Sequence, residues 1–396
     1  MSSNLRKRLD VQRVAELTRR LIERESENPP GNEAGVGDVI ASFCERLGLE
    51  VTRQPVAGDR FNVIARLPGR NRNHSFAYNG HLDVVPAGPA ELWTTPAFTP
   101  DIRDGRLYGR GACDMKGSVA AFMHVLECLV DQDEPPAVDI VFTAVIDEEK
   151  SNKGIKALLD SGFHADWCVV GEPTGMDIAI GHRGVIAFEL VMDGVACHAA
   201  QSQHGVNALY HAVEAVQAIR NLDRRWQQQR SNDVLGQSRL QVTGCQSGVK
   251  VNVIPARASL QIDGRLACGE TEAQVRDALE AELSRLQAAG SIGSWQLNQT
   301  TFCPSGLTPV EAGISRHCAA AVERARGMAP RLYPFEATCE AAFLMEAGIK
   351  TLIIGPGSIV QAHQADEFVE LDQLEMAALG YAQIIDSLDE VIFSHA

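Results

Sequence analysis

Residues 79–88 read NGHLDVVPAG: an apolar run stops at His81, skips one leucine and offers Asp83. Taken alone, His-x-Asp is a turn that happens to carry polar side chains. Other apolar runs in the chain end in the same way. VDIVFTAVI (138–146) runs into Asp147, Glu148 and Glu149, and WCVVG (167–171) runs into Glu172. TLIIG (351–355) leads through Pro356, Gly357 and Ser358 to His363, and Asp114 stands between LYGRGAC and a predicted helix from Lys116. Mixed histidine and carboxylate ligation is the chemistry of catalytic zinc. Acids gathered at one place raise the cost of ionising one another unless a cation sits among them. Together these residues read as a metal site; singly, each reads as a helix cap or a solvated turn.

The elements between them explain how residues so distant in sequence could meet. Helical periodicity covers Leu5 to Glu25, before the breaker Asn28-Pro29-Pro30-Gly31, and a second helix covers Gly37–Leu47. Strand-like runs then alternate with helices: FNVIARL, SFAYNG, a helix over Lys116–Val130, VDIVFTAVI, a helix near Gly154–Leu159, and WCVVG. Continuous apolar strands separated by amphipathic helices predict an α/β domain with a mostly parallel sheet and helices on both faces. In such sheets, ligands bind at the carboxyl ends of the strands.

The middle of the chain follows another pattern. RGVIAFELVMDG, a helix over Val206–Leu222, SRLQVTGC, ASLQIDGRL, a helix over Glu270–Leu286 and WQLNQTTF give βαββαβ, a ferredoxin-like order. We therefore expect a catalytic domain of residues 1–181 and 302–396, interrupted by an inserted domain of residues 182–301. A helix from Val310, the strand TLIIG and a helix from Asp372 complete the catalytic part, while RRWQQQR (224–230) reads as a solvated helix end or loop.

Composition narrows the function classes. The chain has 396 residues, 45% hydrophobic and 22% charged, which is the make-up of a globular protein and long enough for two or three domains. A net charge of −15 argues against nucleic acid or an anionic membrane as partner. The N-terminal stretch lacks the apolar segment of a secretory signal, and nothing approaches the ~18 apolar residues of a membrane span. Ten cysteines, none as Cys-x-x-Cys, suggest reduced thiols and a cytoplasmic location.

The segments NGHLDVVP, GRGACDMKG, DEE, GEPT, His198…GVNA, NVIP…DGR and GPGS…AHQADE occur in one order over nearly the whole length. In this the chain resembles the dinuclear zinc amidohydrolases and exopeptidases that include acetylornithine deacetylase, succinyl-diaminopimelate desuccinylase, aminoacylase and glutamate carboxypeptidase. The resemblance implies two zinc ions per subunit, with cobalt a candidate substitute. It implies His81 and Glu172 on one ion, Glu149 and His363 on the other, and the Asp114 carboxylate bridging both, with a cis peptide bond after Asp114. It further implies Glu148 as general base and Asp83 as the carboxylate that accepts the other N–H of His81. His198 would stabilise the oxyanion, in its own or a partner subunit, from an inserted domain that acts as lid and dimer contact; its CHAAQSQHG context departs from the family's usual serines and proline.

On the substrate side, Asn252 and Arg265 match positions that hold an α-carboxylate, which arginine grips with a planar fork. The alternative for Arg265 is a surface ion-pair residue at a strand end. Gly357 in GPGS could offer backbone donors to the same group. EATCEAAF (336–343) looks more like the TEA-containing segment of acetylornithine deacetylases than the Ser/Gly-rich segment of the desuccinylases. Glu340 would then meet a cationic substrate side chain or cap the helix that starts there. Cys113, Cys197 and Cys339, each preceding a candidate site residue, read as small buried side chains and not as nucleophiles. The expected activity is metal-dependent hydrolysis of an N-acyl amino acid, with acetylornithine favoured. Aminoacylase, N-acetylcitrulline deacetylase, desuccinylase and dipeptidase activities are the alternatives, and a non-catalytic binding protein is disfavoured because no ligand position is lost.

Overall fold

The computed structural model describes residues 3–389. The chain divides into two compact units, one of residues 1–181 with 307–396 and one of residues 182–306; of the first, residues 1–2 and 390–396 lie outside the described residues.

The first unit is an α/β layer structure with a mostly parallel centre. In spatial order its nine-stranded sheet begins Glu50–Ala57, Arg60–Leu67, Val138–Val145, Asn71–His81, Trp167–Val170, Lys350–Ile353 and Ile178–His182. The four strands from Val138–Val145 to Lys350–Ile353 are mutually parallel, and antiparallel strands flank them. All eight residues of Val138–Val145 are buried, as a strand covered on both faces requires. Gly117–Val130 lies under one face with Val11–Ile22 and Leu371–Asp386 packed on it, and Ala34–Arg46 packs on Arg60–Leu67. Tyr78, Phe122 and Phe142 stack at the centre of this core, with Tyr78 and Phe122 ring centroids 4.2 Å apart, and Tyr381 packs edge-on against Tyr78 and Phe122.

Parallel register brings the strand ends level. His81 lies opposite Val145, and Asn79 lies opposite Thr143 on one side and Val170 on the other. His81 and Glu172 are each two residues beyond the paired Asn79 and Val170, so both emerge at one edge. The acidic turn Asp147–Glu149 follows Val145 at that same edge.

The second unit is a four-stranded antiparallel sheet in the order Arg239–Ser247, Arg257–Leu266, Gly184–Asp193, Trp295–Cys303, with helices Ala208–Gln229 and Glu272–Ala288. Alternate residues of Arg257–Leu266 are buried, the pattern of a sheet with one covered face. The strand Trp295–Cys303 pairs with Gly184–Asp193 as far as Cys303, which carries this unit past residue 301.

One reading of the sequence needs correction. The first helix is broken: Ser3–Arg8 ends before Asp10, whose side chain accepts from the Gln12 amide at 2.9 Å and starts Val11–Ile22. RRWQQQR forms the end of the helix Ala208–Gln229, as one of its two readings expected; it is largely solvated, with Trp226 buried in line with Ile219 and Leu222. All ten cysteines are free, Cys113 and Cys339 are buried and Cys197 is half-buried. No helix among the described residues is long and apolar enough to cross a membrane.

One close approach in the first unit yields a test. Gly171, between the last sheet residue Val170 and Glu172, lies against the hydrogen-bonded chain Tyr78–Ser118–Tyr381. A Cβ there would come within 2.1 Å of the Tyr78 hydroxyl and 2.2 Å of Ser118 Oγ. Gly171→Ala is expected to destabilise the protein by about 1–3 kcal/mol through overpacking, measured by urea unfolding. An unchanged midpoint would mean that the strand end yields freely.

Candidate metal centre

Two groups of ligand-type atoms meet at the sheet edge and share one residue. His81, Asp114 and Glu172 form one, Asp114, Glu149 and His363 the other, and within each the candidate ligand atoms lie within 4.8 Å of one another. The sharing is divided between the two oxygens of Asp114. Oδ1 lies 3.0 Å from His81 Nε2, while Oδ2 lies 3.3 Å from His363 Nε2. His81 Nε2 is also 3.7 Å from Glu172 Oε1, and His363 Nε2 is 3.3 Å from Glu149 Oε2. The Asp114–Met115 peptide bond is cis. His81 and Glu172 are buried, whereas the side chain of His363 is 52% exposed and opens the centre to solvent.

Glu148 joins His81 and Glu149 in a third group, and Glu340 joins Glu148 and Glu172 in a fourth. Five carboxylates thus surround two histidines, and among the described residues no lysine or arginine pairs with any of them. Two carboxylate charges within 4.8 Å repel by about 3 kcal/mol or more at an effective dielectric near 20. Several such pairs would consume much of a domain's whole stability of about 5–15 kcal/mol, so the cluster calls for cations. Buried oxygens without any hydrogen-bond partner, Glu149 Oε1 and both oxygens of Glu340, are consistent with that need. The donor set suits a divalent transition metal.

The electrostatics follow from burial and from the same neighbours. Burial pushes the carboxyls of Glu172 and Glu148 well above the ordinary range; Asp114 adds to this for Glu172, while His81 opposes it for Glu148. Burial also lifts Glu340, to about 7, against the influence of His81. Asp114 is held below the usual range because its bonds to His363 and His81 outweigh burial. His363 is lifted to about 10 by its bonds to Asp114 and Glu149.

The structure corrects the role expected of Asp83. His81 Nδ1 donates to the backbone carbonyl of Asp83 at 2.9 Å, and the Asp83 carboxylate is farther away, at 3.8 Å. Because a carbonyl only accepts, Nδ1 carries the proton and Nε2 presents its lone pair to the centre when the ring is neutral. The carboxylate instead builds the acidic turn. Its oxygens accept the Glu148 and Glu149 amides, each at 3.1 Å, and Asn28 Nδ2 at 2.9 Å. Asn28 Nδ2 also donates to Asp147 Oδ1 at 2.9 Å, and Arg60 ties Asp147 to the buried Glu33. Asp147 and His363 hold left-handed φ values of 68° and 65°, so the turns that present ligands are tightly specified. Asp147, grouped with the metal-site acids in the sequence, is instead a support of the turn, and its partners Asn28, Arg60 and Glu33 carry no site role in the sequence. The DEE run signalled the turn but nothing local signalled its partners.

Two further expectations change. Glu340 occupies the N-cap position of Ala341–Glu346 but makes no side-chain cap bond, so the capping alternative fails. The Gly357 amide is already engaged with Gln373 Oε1 at 2.6 Å and its carbonyl with the Gly175 amide, which leaves its N–H no free donor. Its φ of +84° and the Cys113 sulfur, 2.5 Å from where a Cβ would sit, explain the glycine by packing.

The model of peptidase family M20/M25/M40 matches residues 77–387, most of the chain. The chain belongs to this family. It is therefore a metal-dependent hydrolase by descent, and its fold has solved counterparts of the same family. An M20 family metallo-carboxypeptidase from Sulfolobus solfataricus is 18% identical and superposes with a TM-score of 0.79, covering 96% of this chain and 99% of that one. Aminopeptidase PepT from Bacillus cereus gives 19% identity and 0.78, covering 96% and 99%. The YXEP protein of Bacillus subtilis, described as a dinuclear metal binding peptidase from the M20 family, gives 17% identity and 0.69, covering 96% and 99%.

The remaining candidates belong to the second unit. His198 is exposed on the short strand Cys197–His198, which pairs with Val253–Ile254, and its Nδ1 accepts from the Ala200 amide at 3.1 Å. Asn252 adjoins it, its backbone carbonyl accepting from the Ala199 amide at 3.0 Å, while its buried Oδ1 has no partner. Arg265 is exposed and forks onto Asp263 with bonds of 2.9 and 3.1 Å, so the surface ion-pair alternative describes its contacts here.

Proposed function

We propose that the protein hydrolyses the acyl amide of an N-acyl-L-amino acid, with N-acetylornithine the favoured substrate. The observation that carries the reading is the division of Asp114 between two histidine–carboxylate groups, with Glu148 beside them. His81 and Glu172 would hold one cation, Glu149 and His363 the other, and Asp114 both, with zinc the expected metal and cobalt a candidate substitute. Bound there, the two cations supply Lewis acidity, polarising the scissile carbonyl and making a water more acidic.

The protein's own groups do the rest. The Glu148 carboxylate takes a proton from the attacking water and returns it to the nitrogen of the departing amine. The Asp83 carboxylate fixes the two amides beside that base, and the Asp83 carbonyl fixes the tautomer of His81. With Nδ1 of His198 occupied by the Ala200 amide, Nε2 is the atom left to donate to a developing oxyanion. Arg265, released from Asp263, and Asn252 are proposed to take the α-carboxylate. The inserted unit would serve as lid and homodimer contact. Exposed Leu209, Tyr210 and Val213 on Ala208–Gln229 are the apolar surface such a contact would cover.

Substrate choice turns on Glu340, a fully buried carboxylate whose two oxygens lack partners and which stands beside Glu148 and Glu172. It suits a cationic group on the substrate. The same observation supports a second reading, a dipeptidase whose substrate presents its α-ammonium to Glu340. Amine release from N-acetylornithine, N-acetylcitrulline, N-acetylmethionine, N-succinyl-diaminopimelate and a dipeptide separates the two. Glu340→Gln is expected to lower kcat/KM for N-acetylornithine at least ~30-fold relative to N-acetylmethionine, about 2 kcal/mol for a lost buried charge pair. An equal loss on both substrates would remove Glu340 from side-chain recognition.

A further inference from the structure

Four residues beyond His363, at the end of the HQADE segment, Glu367 is 1% exposed and its carboxylate is fully engaged. Oε1 accepts from the Cys113 amide at 2.9 Å and the Asp114 amide at 3.0 Å. Oε2 accepts from the Gly111 amide at 3.1 Å and from Arg110 Nη1 at 2.6 Å. Its backbone carbonyl takes a further amide, that of Gly109, at 2.9 Å. Arg110 is itself buried, bonds the Gln364 carbonyl at 3.0 Å, and lies over the Trp93 ring. One side chain from the segment that carries His363 therefore holds three amides of the segment that carries Asp114.

This is more than an isolated ion pair needs. Arg110 alone would satisfy one oxygen of Glu367; the amides of Gly111, Cys113 and Asp114 donate to it as well, whereas the Ala112 amide turns back to the Gly109 carbonyl at 3.0 Å. Asp114 has non-helical angles, φ −122° and ψ 96°, inside that turn. Its carboxylate must divide its oxygens between His81 and His363, so a small rotation of the backbone would misdirect one of them.

Resting on the metal-centre reading above, we propose that Glu367 is a positioning residue. It locks the Asp114 turn to the His363 segment, so that the shared ligand meets both groups in one geometry, and it thereby sets cation affinity without touching a cation. Partners that orient ligands in this way typically contribute 10–100-fold in metal affinity.

The test is cobalt(II) binding to metal-stripped full-length protein, by calorimetry and by the visible absorption of the bound ion, for wild type and E367Q. Glutamine keeps the shape but turns an NH2 group toward amides that need an acceptor. We expect E367Q to bind cobalt at least ~10-fold more weakly, with an altered visible spectrum. A purely structural residue would lower the melting temperature of the metal-free protein yet leave cobalt affinity and spectrum at wild-type values, and that result overturns the proposal. Wild-type protein that binds no cobalt would overturn the metal-centre reading itself. Should E367Q fail to fold, amide hydrogen exchange in metal-free wild type decides. Slow exchange at Gly111, Cys113 and Asp114 supports the lock, and exchange at the rate of an unstructured loop overturns it.

Discussion

Glu148→Gln is expected to lower kcat by ~10²–10⁴ while leaving the bound metal in place. The exchange removes a proton acceptor and little else. The Glu148 amide still donates to Asp83, so the turn persists, and the proposed ligands Glu149 and His81 keep their contacts. KM should change less than kcat, because a base acts on the reacting proton and not on the bound substrate. Metal content by mass spectrometry and steady-state kinetics on the same preparation decide the matter. Activity within ~3-fold of wild type would take the base role from Glu148, and Glu340, in the same cluster, would become the candidate.

Asp114→Asn is the second large effect, and it differs in kind. Asparagine keeps one oxygen but presents an NH2 group to either the His81 or the His363 side, where a ligand atom is required. Loss of a shared ligand is expected to exceed the 10–100-fold that orienting residues contribute, so cation affinity should fall by more than ~100-fold. At a cation concentration ~100 times the wild-type Kd, the stabilisation of about 2.7 kcal/mol given by binding should then largely disappear. Thermal unfolding with and without cobalt measures it. A variant still stabilised as wild type is would show that the two groups do not depend on a common carboxylate.

The residues legible in the sequence were those that strands deliver. His81, Glu149, Glu172 and His363 follow apolar runs, and parallel pairing alone brings His81 level with Val145 and Glu172 to the same edge. The ferredoxin-like order was legible from its succession of strands and helices, with Arg257–Leu266 alternating cleanly. What escaped was carried by single side chains reaching distant backbone. Asn28 lies 55 residues from Asp83 and 119 from Asp147, and Glu367 lies 254 residues from the Cys113 amide it holds. Such bonds leave no periodic trace. Asp83 misled for a local reason: two residues beyond a histidine at a strand end, the carbonyl comes nearer to the ring than the carboxylate does. The break at Asp10 escaped because the periodicity from Leu5 to Glu25 runs across it, and the burial of Trp226 escaped because its neighbours are polar.

A metal titration read by activity asks directly whether the Asp114 centre drives hydrolysis. Metal-stripped protein would receive zinc or cobalt stepwise while amine release from N-acetylornithine and the other acyl amino acids is followed, and a chelator would then be added. We expect no turnover without metal, a rise that saturates near two ions per chain, and loss on chelation that resupplied metal reverses. Turnover that survives complete removal of metal would contradict that expectation, as would a chain that binds no divalent cation at the residues grouped around Asp114.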